Sequence, residues 1–125
     1  MCQKAVLFAD NVSLQNIQRE SDPVIIKQLG KQIQNFDKRR WEGAIDSILD
    51  KGLSAKFGQN PTLLFDLRST GSTTLAEANP ADKLFGIGRG LNNLDAWDQN
   101  KWLGKNKLGS ALMHIRDTTE LQTLV

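Results

Sequence analysis

The stretch from Lys38 to Phe57 constrains the fold more than any other part of the chain, because it has the periodicity of a long amphipathic helix. Its apolar side chains recur every three or four residues and fall on one stripe: Trp41, Ile45, Ile48, Leu49 and Leu53. Charged side chains occupy the other face: Glu42, Asp46, Asp50 and Lys51. This segment therefore predicts the longest helix of the chain.

Two shorter helices are predicted by a capping residue that proline follows directly, at Asp22-Pro23 and at Asn60-Pro61. Apolar residues at helical spacing continue the first pattern: Ile26, Leu29 and Ile33. They continue the second in the same way: Leu63, Leu64 and Leu67. Gly71 is expected to end the second of these helices.

The two ends of the chain also favour helix. A helix is expected from Met1 to about Asp10, with Ser13 capping a short turn behind it. Asn106 is expected to cap a final helix, whose inner face carries three apolar residues: Leu108, Leu112 and Ile115. The fold class predicted from these elements is mostly α, and α+β at most.

The segment from Ser72 to about Lys105 differs from the rest, because it is rich in glycine, proline and asparagine. Gly86-Ile87-Gly88-Arg89-Gly90 lies inside it, but no strand precedes these glycines and no periodic helix follows them directly. Neither the Rossmann nor the Walker spacing is met, so the glycines alone favour a flexible turn over a phosphate loop. Long loops in compact domains tend to carry function, which makes this segment the place to look for a site.

Composition narrows the possible chemistry. The chain has 125 residues, a length that fits one domain, and its net charge of +2 is too balanced for a general nucleic-acid or membrane-surface binder. Cys2 and His114 are the only residues of their types, which excludes an internal disulfide and a metal site built from several cysteines or histidines. Carboxylates, lysines, amides and hydroxyls remain, and neither a metal nor a cofactor is expected. The sequence shows neither a membrane-spanning apolar run nor the layout of a secretion signal, so a cytoplasmic protein without membrane contact is expected.

Several side chains have both a structural and a functional interpretation. Trp97 and Trp102 either pack over the core or offer a stacking surface for a base. Glu77 and Asp82 are either solvated surface charges or carboxylates that stabilise positive charge on a sugar ring as a glycosidic bond breaks. Lys4 is either an exposed charge or, if buried, an amine that attacks the anomeric carbon or forms a Schiff base.

Taken in order, many short stretches of the chain resemble the NADAR superfamily, the YbiA-like domains. The matching stretches are Gln3-Lys4-Ala5, Phe36-Asp37 with Trp41, Lys56-Phe57, Gln59-Asn60, Leu75-Ala76-Glu77-Ala78, Asp82, Gly86-Ile87-Gly88, Trp102 to Gly109 and Leu112 to Arg116. The resemblance implies a single compact YbiA-like domain over residues 1–125, with the loop-rich segment as its active site.

The same resemblance implies an N-glycosidase, one that hydrolyses the C–N bond between a base and a phosphorylated ribose. ADP-ribosyl-guanine, including ADP-ribosylated nucleic acid, and ribosylamino intermediates of riboflavin synthesis are the substrates that it suggests. Lys4, Asp82 and Glu77 take the family's catalytic positions, and Lys4 and Asp82 are expected to meet at one sugar-sized cavity. The implied substrate-binding residues are Trp41, Asn60, Phe85, Gly86, Gly88, Trp102, Asn106 and Arg116, with Arg116 serving either phosphate or structure.

Two features depart from the family pattern. Phe85 stands where family domains usually have a tryptophan, which keeps an aromatic face but loses the indole N–H. The family's catalytic glutamate, about two helical turns before the lysine, has no counterpart, since Met1 lies three residues before Lys4. The domain is therefore expected to be N-terminally incomplete. The alternative function is a non-catalytic module that binds ADP-ribose or another nucleotide, or an inactive relative.

Overall fold

The structure, a computed structural model, describes residues 1–120, and over that range it contains helices and no β-strand. The α-helices are α1 (Cys2–Leu7), α2 (Asn11–Arg19), α3 (Pro23–Lys31), α4 (Lys38–Gly58), α5 (Pro61–Ser69) and α6 (Lys107–Thr118). Two short 3-10 helices, Leu94–Trp97 and Gln99–Lys101, lie in the loop-rich segment. The predicted mostly α class is confirmed.

The chain divides into two compact units, residues 1–48 and the residues from Leu49 onward, which we call unit 1 and unit 2. Helix α4 begins in unit 1 and ends in unit 2. That the two units make up one domain, as the sequence analysis expects, stays a prediction. None of the helices in residues 1–120 combines the length and the apolar character needed to cross a membrane.

In unit 1, the first three helices pack against one another in chain order. Their shared core consists of four buried residues: Ala5, Phe8, Ile17 and Ile33. Partly buried side chains from the same helices and from the start of α4 surround this core: Cys2, Leu7, Leu14, Ile26, Leu29 and Trp41. Ile26 and Leu29 of α3 and Trp41 of α4 therefore contact the core as the sequence predicts, whereas Ile33 lies beyond the end of α3 at Lys31.

The junction between α1 and α2 differs from the prediction. Helix α1 ends at Leu7, and Ala9 adopts the left-handed backbone conformation with φ 54°. Asp10, and not Ser13, caps the next helix, because its carboxylate accepts hydrogen bonds from the backbone N–H of Ser13 at 3.0 Å and from the Ser13 hydroxyl at 2.6 Å. The predicted short turn is therefore a nine-residue helix.

The Asp10 carboxylate also accepts a hydrogen bond from the backbone N–H of Gln34 at 2.9 Å, which ties the start of α2 to the segment after α3. This bond and those from Ser13 hold the pKa of the Asp10 carboxyl below its ordinary value. A carboxyl group whose pKa is lowered by folding stabilises the folded state above its unfolded pKa of about 3.9. That stabilisation is lost as the pH falls through the lower, folded pKa.

We therefore expect Asp10→Asn to lower the urea midpoint of unfolding at pH 7 and the deficit to shrink steadily below about pH 4. Urea titrations of both proteins at several values between pH 7 and pH 3, followed by circular dichroism, measure this deficit. A deficit that is the same at pH 3 and pH 7 would show that the charge of Asp10 does not contribute.

In unit 2, α5 packs against α6. Leu64 and Leu67 of α5, Ile115 of α6 and Ile87 of the loop-rich segment are buried. Arg116 is buried as well, and its guanidinium donates hydrogen bonds to the Thr70 hydroxyl at 3.1 Å and to the Thr73 carbonyl at 2.8 Å. These bonds attach the last helix to the chain that leaves α5.

The glycine-rich turn is a packed element and not the flexible turn that the glycines alone favour. Gly86 and Gly88 are buried, and a Cβ on Gly86 would lie 2.8 Å from the Asp82 carbonyl oxygen and 2.9 Å from that of Glu77. Backbone atoms at such distances cannot move aside cheaply, so glycine is required there for close approach. Gly88 also has a left-handed φ of 70°, which favours glycine.

Candidate active site

Asn106, the residue before α6, organises the loop-rich segment of unit 2. It is buried and adopts the left-handed conformation, with φ 50° and ψ 44°. Its side-chain amide donates a hydrogen bond to the Leu75 carbonyl at 2.9 Å, and its amide oxygen accepts one from the backbone N–H of Glu77 at 3.0 Å. Asn106 therefore stands at the predicted cap position, but its side chain fixes residues 75–77 and does not cap α6.

The backbone of Glu77 is held on both sides. Besides the bond from its N–H to Asn106, its carbonyl accepts hydrogen bonds from the N–H groups of Ile87 at 2.9 Å and Asn79 at 3.0 Å. Its Cγ packs close to Gly86, 3.3 Å from where a Cβ would stand. The carboxylate itself has no hydrogen-bond or ion-pair partner within residues 1–120. Glu77 thus presents a half-buried, unpaired carboxylate on an immobilised backbone.

The carboxylate of Asp82, unlike that of Glu77, accepts hydrogen bonds within the loop-rich segment. Its carboxylate oxygen Oδ1 accepts hydrogen bonds from the backbone N–H groups of Leu84 at 3.0 Å and Phe85 at 2.9 Å, and its carbonyl accepts one from Gly88 at 3.1 Å. These three bonds close the turn that carries Gly86 and Gly88. The carboxylate of Asp82 is therefore engaged in shaping the segment that packs against Glu77.

The segment from Trp102 to Leu108 closes over the same turn. The carbonyl of Ile87 accepts hydrogen bonds from Leu103 at 2.9 Å and Gly104 at 2.8 Å, and the Gly86 carbonyl accepts one from Asn106 at 3.0 Å. The half-buried Phe85 takes part through its carbonyl, which accepts a bond from Leu108 at 3.1 Å. The loop-rich segment is therefore a hydrogen-bonded scaffold around Glu77.

The two tryptophans of the loop-rich segment have different environments. Trp102 is half-buried, and its indole N–H donates to the Ala96 carbonyl at 2.7 Å. Trp97 is 80% exposed, so the interpretation that it packs over the core is wrong. Both indoles line a cavity of about 300 Å³, together with Thr74, Ala76, Ala78, Ile87, Leu91, Ala96 and Gln99. We call this the ring cavity.

Two other predicted binding residues of unit 2 have structural hydrogen bonds. The guanidinium of Arg116 is buried in its bonds to the end of α5. Asn60 is exposed at the start of α5, where its side-chain amide donates to the Lys56 carbonyl at 2.5 Å and not to the helix that it precedes. Their roles in substrate binding stay predictions.

In unit 1, Lys4 lies among aromatic rings. Its Nζ donates a hydrogen bond to the Gly30 carbonyl at 2.8 Å and lies 4.7 Å from the ring centre of Phe36 and 5.5 Å from that of Trp41. Burial lowers the pKa of the Lys4 ammonium below its ordinary value. The sequence singled out Lys4 and Trp41, and the structure brings them together.

Some of these features were not predicted from the sequence. Phe36 belongs to a family-like stretch, but nothing in its spacing indicated that its ring lies against the Lys4 amine. The sequence indicates that Trp97 is a stacking candidate, but it does not indicate which side chains line a cavity with it. Lys4 belongs to unit 1 and both carboxylates to unit 2, so their action on one substrate stays a prediction. Within residues 1–120, no group of three or more Cys, His, Asp or Glu side chains is arranged to hold a metal ion.

A helical fold with a loop-rich segment that carries Glu77 and Asp82 is what the NADAR resemblance implies, and comparison with known proteins identifies the same family. The NADAR domain family model matches residues 1–120. The chain belongs to the NADAR domain family.

Three relatives are similar to this chain over nearly all of its length. N-glycosidase R617 of Acanthamoeba polyphaga mimivirus is 39% identical over 96% of this chain and 71% of its own length. N-glycosidase YbiA of Escherichia coli strain K12 is 27% identical over 95% of this chain and 68% of its own. Protein irg-1 of Caenorhabditis elegans is 29% identical over 94% of this chain, which spans only about half (56%) of that protein. The predicted family is confirmed, and so is the predicted enzyme class, an N-glycosyl hydrolase, at the level of the family.

Proposed function

We propose that this chain hydrolyses the C–N bond between a heterocyclic base and a phosphorylated ribose, with Glu77 stabilising the transition state. The observation that carries the proposal is the Glu77 carboxylate, which has no hydrogen-bond or ion-pair partner among residues 1–120, on a backbone fixed by Asn106, Ile87 and Asn79. The similarity to two proteins named N-glycosidases supports the reaction class.

The chemistry requires a negative charge at a fixed place. As the C–N bond breaks, its electron pair leaves with the base nitrogen and positive charge develops on the ribose ring. Water then adds to the anomeric carbon, and its proton passes to the base or to solvent. A carboxylate that does not have to reorganise stabilises that charge more in the transition state than in the ground state, which is how it accelerates the reaction.

We assign different roles to the two predicted carboxylates because their hydrogen bonds differ. Asp82 acts in this proposal as a positioning residue, since its Oδ1 holds the backbone of Leu84 and Phe85. Asparagine keeps an oxygen that accepts the same bonds, whereas alanine does not. We expect Asp82→Asn to retain activity within about tenfold, and Asp82→Ala to lose stability and activity together through the loss of two bonds to a charged acceptor. Near-complete loss of turnover in a well-folded Asp82→Asn would instead make the Asp82 charge catalytic.

Lys4 is proposed to act as an amine, because partial burial favours its neutral form. A neutral amine can attack the anomeric carbon as the C–N bond to the base breaks, or displace the base from an opened ribose to form a Schiff base. In either case the base leaves with the electron pair of the C–N bond, and water then hydrolyses the bond between Lys4 and the sugar. Lys4→Arg keeps the positive charge but cannot supply such an amine. It is expected to abolish turnover, while Lys27→Arg, a matched change on the exposed side of α3, leaves turnover unchanged. Full activity in Lys4→Arg would leave the amine without a chemical role.

The substrates proposed are ADP-ribosyl-guanine, free or within ADP-ribosylated nucleic acid, and ribosylamino intermediates of the riboflavin pathway. Incubation of the chain with each, followed by chromatography of the released heterocycle, tests the proposal. We expect release from at least one of them. Binding of ADP-ribose without release from any would favour the alternative, a nucleotide-binding module without catalysis, and would overturn the enzymatic proposal for this chain.

A further inference from the structure

We propose that the ring cavity of unit 2 is a nucleotide-binding site that holds a planar heteroaromatic ring against Trp97. The inference goes beyond the proposed function, since binding there requires no bond cleavage. Ala76 and Ala78, which flank Glu77, both line the cavity, whereas the Glu77 side chain does not. The ring held there is therefore not required to be the base that leaves the sugar.

The cavity has the size and the walls that such a ring requires. Its volume of about 300 Å³ is at the lower end of the range for small-molecule sites. Two indoles and several short aliphatic side chains line it, so that a flat ring meets apolar surface. The indole of Trp102 is fixed by its bond to the Ala96 carbonyl, which makes that wall rigid.

Trp97 has the properties of a stacking residue. Its side chain is 80% exposed, although a tryptophan exposes a large apolar area to water at a free-energy cost. Base–indole stacking removes that area from water and tolerates any base. The neighbouring Leu94 is also exposed but does not line the cavity, so it offers a matched comparison.

Polar groups beside the cavity suit the rest of a nucleotide. Within the cavity, the Gln99 side-chain amide donates to the Thr74 hydroxyl at 3.1 Å, and the amide oxygen and second N–H of Gln99 can meet the edge of a ring. Asp95, next to Ala96, pairs with Arg89 at 3.6 Å and with Lys101 at 3.5 Å. Arg89 and Lys101 can donate hydrogen bonds to a phosphate, but Asp95 and Asp98 balance their charge, so the ring and not the phosphate is expected to supply most of the affinity.

Calorimetric titration with AMP tests the inference directly. We expect AMP to bind, Trp97→Ala to weaken it by about 10- to 100-fold, and Trp97→Phe to recover most of the loss. Leu94→Ala should leave the affinity unchanged. Ribose 5-phosphate lacks the heteroaromatic ring and is expected to bind more weakly than AMP. Its affinity is expected to change little in either Trp97→Ala or Leu94→Ala. Absence of AMP binding to the unmodified chain, or full affinity in Trp97→Ala, would overturn the proposal.

A second variant tests the cavity without touching either indole. Ala76→Leu places a larger side chain at an exposed position on the cavity wall, so it is expected to fold normally and to weaken AMP by at least tenfold. Equal AMP affinity in this well-folded variant would overturn the assignment of the ring to this cavity. The titrations are run on the Glu77→Gln chain as well, where AMP affinity is expected to be unchanged although base release is lost. AMP binding to the unmodified chain without base release from any substrate would count against the proposed function alone. Base release by the unmodified chain without AMP binding would count against the ring site alone.

Discussion

Glu77→Gln is expected to lower the rate of base release by about 100-fold or more, while the protein keeps its stability. The amide has the size of the carboxylate but carries no charge, so it cannot stabilise the positive ribose as the bond breaks. The backbone bonds of Glu77 to Asn106, Ile87 and Asn79 do not involve the side chain and are kept. Initial rates at saturating substrate measure the effect.

The matched control for this variant is Glu120→Gln, which makes the same chemical change at an exposed position outside the scaffold. It is expected to leave the rate unchanged. A Glu77→Gln protein that folds normally and releases base at more than about half the original rate would remove Glu77 from the mechanism. The Asp82→Asn and Asp82→Ala pair would then identify whether the other carboxylate carries the charge.

Gly104→Ala is expected to cause a large loss of stability for a single added methyl group, about 3 kcal/mol or more. The added Cβ would overlap the Gly86 carbonyl oxygen and lie 2.8 Å from the Cα of Lys83 and 2.9 Å from the carbonyl carbon of Ile87. All three are backbone atoms of the scaffold that holds Glu77, so none can turn away as a flexible side chain would. Urea unfolding measures the loss, and base release should fall with it.

Gly52→Ala provides the comparison for that variant. Gly52 lies within α4, and a Cβ there would meet no atom within 4 Å. Alanine favours helix over glycine by up to about 1 kcal/mol, so this change is expected to stabilise the protein slightly. Equal shifts of the unfolding midpoint in Gly104→Ala and Gly52→Ala would show that the scaffold does not pack closely around Gly104.

The helices were largely predictable because their signals are local. The apolar period from Lys38 to Phe57 locates α4 to within one residue of its observed end at Gly58. The cap-then-proline pairs at Asp22 and Asn60 begin α3 and α5 where predicted. The error at Ser13 has a local cause as well, since an aspartate three residues earlier competes for the same cap.

The candidate site was predictable only in its residue types. The sequence indicates Glu77, Asp82 and Asn106, but the roles of Glu77 and Asn106 depend on hydrogen bonds between residues about 30 positions apart, which no local pattern encodes. The bonds of the Asp82 carboxylate are local, to Leu84 and Phe85. The expectation that the glycines form a flexible turn is wrong because the close approach of Gly86 to the backbone of Glu77 is a tertiary property. The exposure of Trp97 likewise follows from packing and not from spacing.

The central claim is that the Glu77 carboxylate stabilises positive charge on a ribose ring, and binding of a cationic ribose analogue tests it most directly. An iminoribitol that is protonated on its ring nitrogen resembles the transition state in charge. Transition-state analogues bind enzymes roughly 10²-fold or more tightly than substrates do. Calorimetry is expected to show that Glu77→Gln weakens binding of the iminoribitol at least 100-fold, while 1,4-anhydroribitol, the neutral analogue with oxygen in place of the ring nitrogen, binds both proteins alike. Equal affinity of the iminoribitol for the two proteins would contradict the assignment of that charge to Glu77.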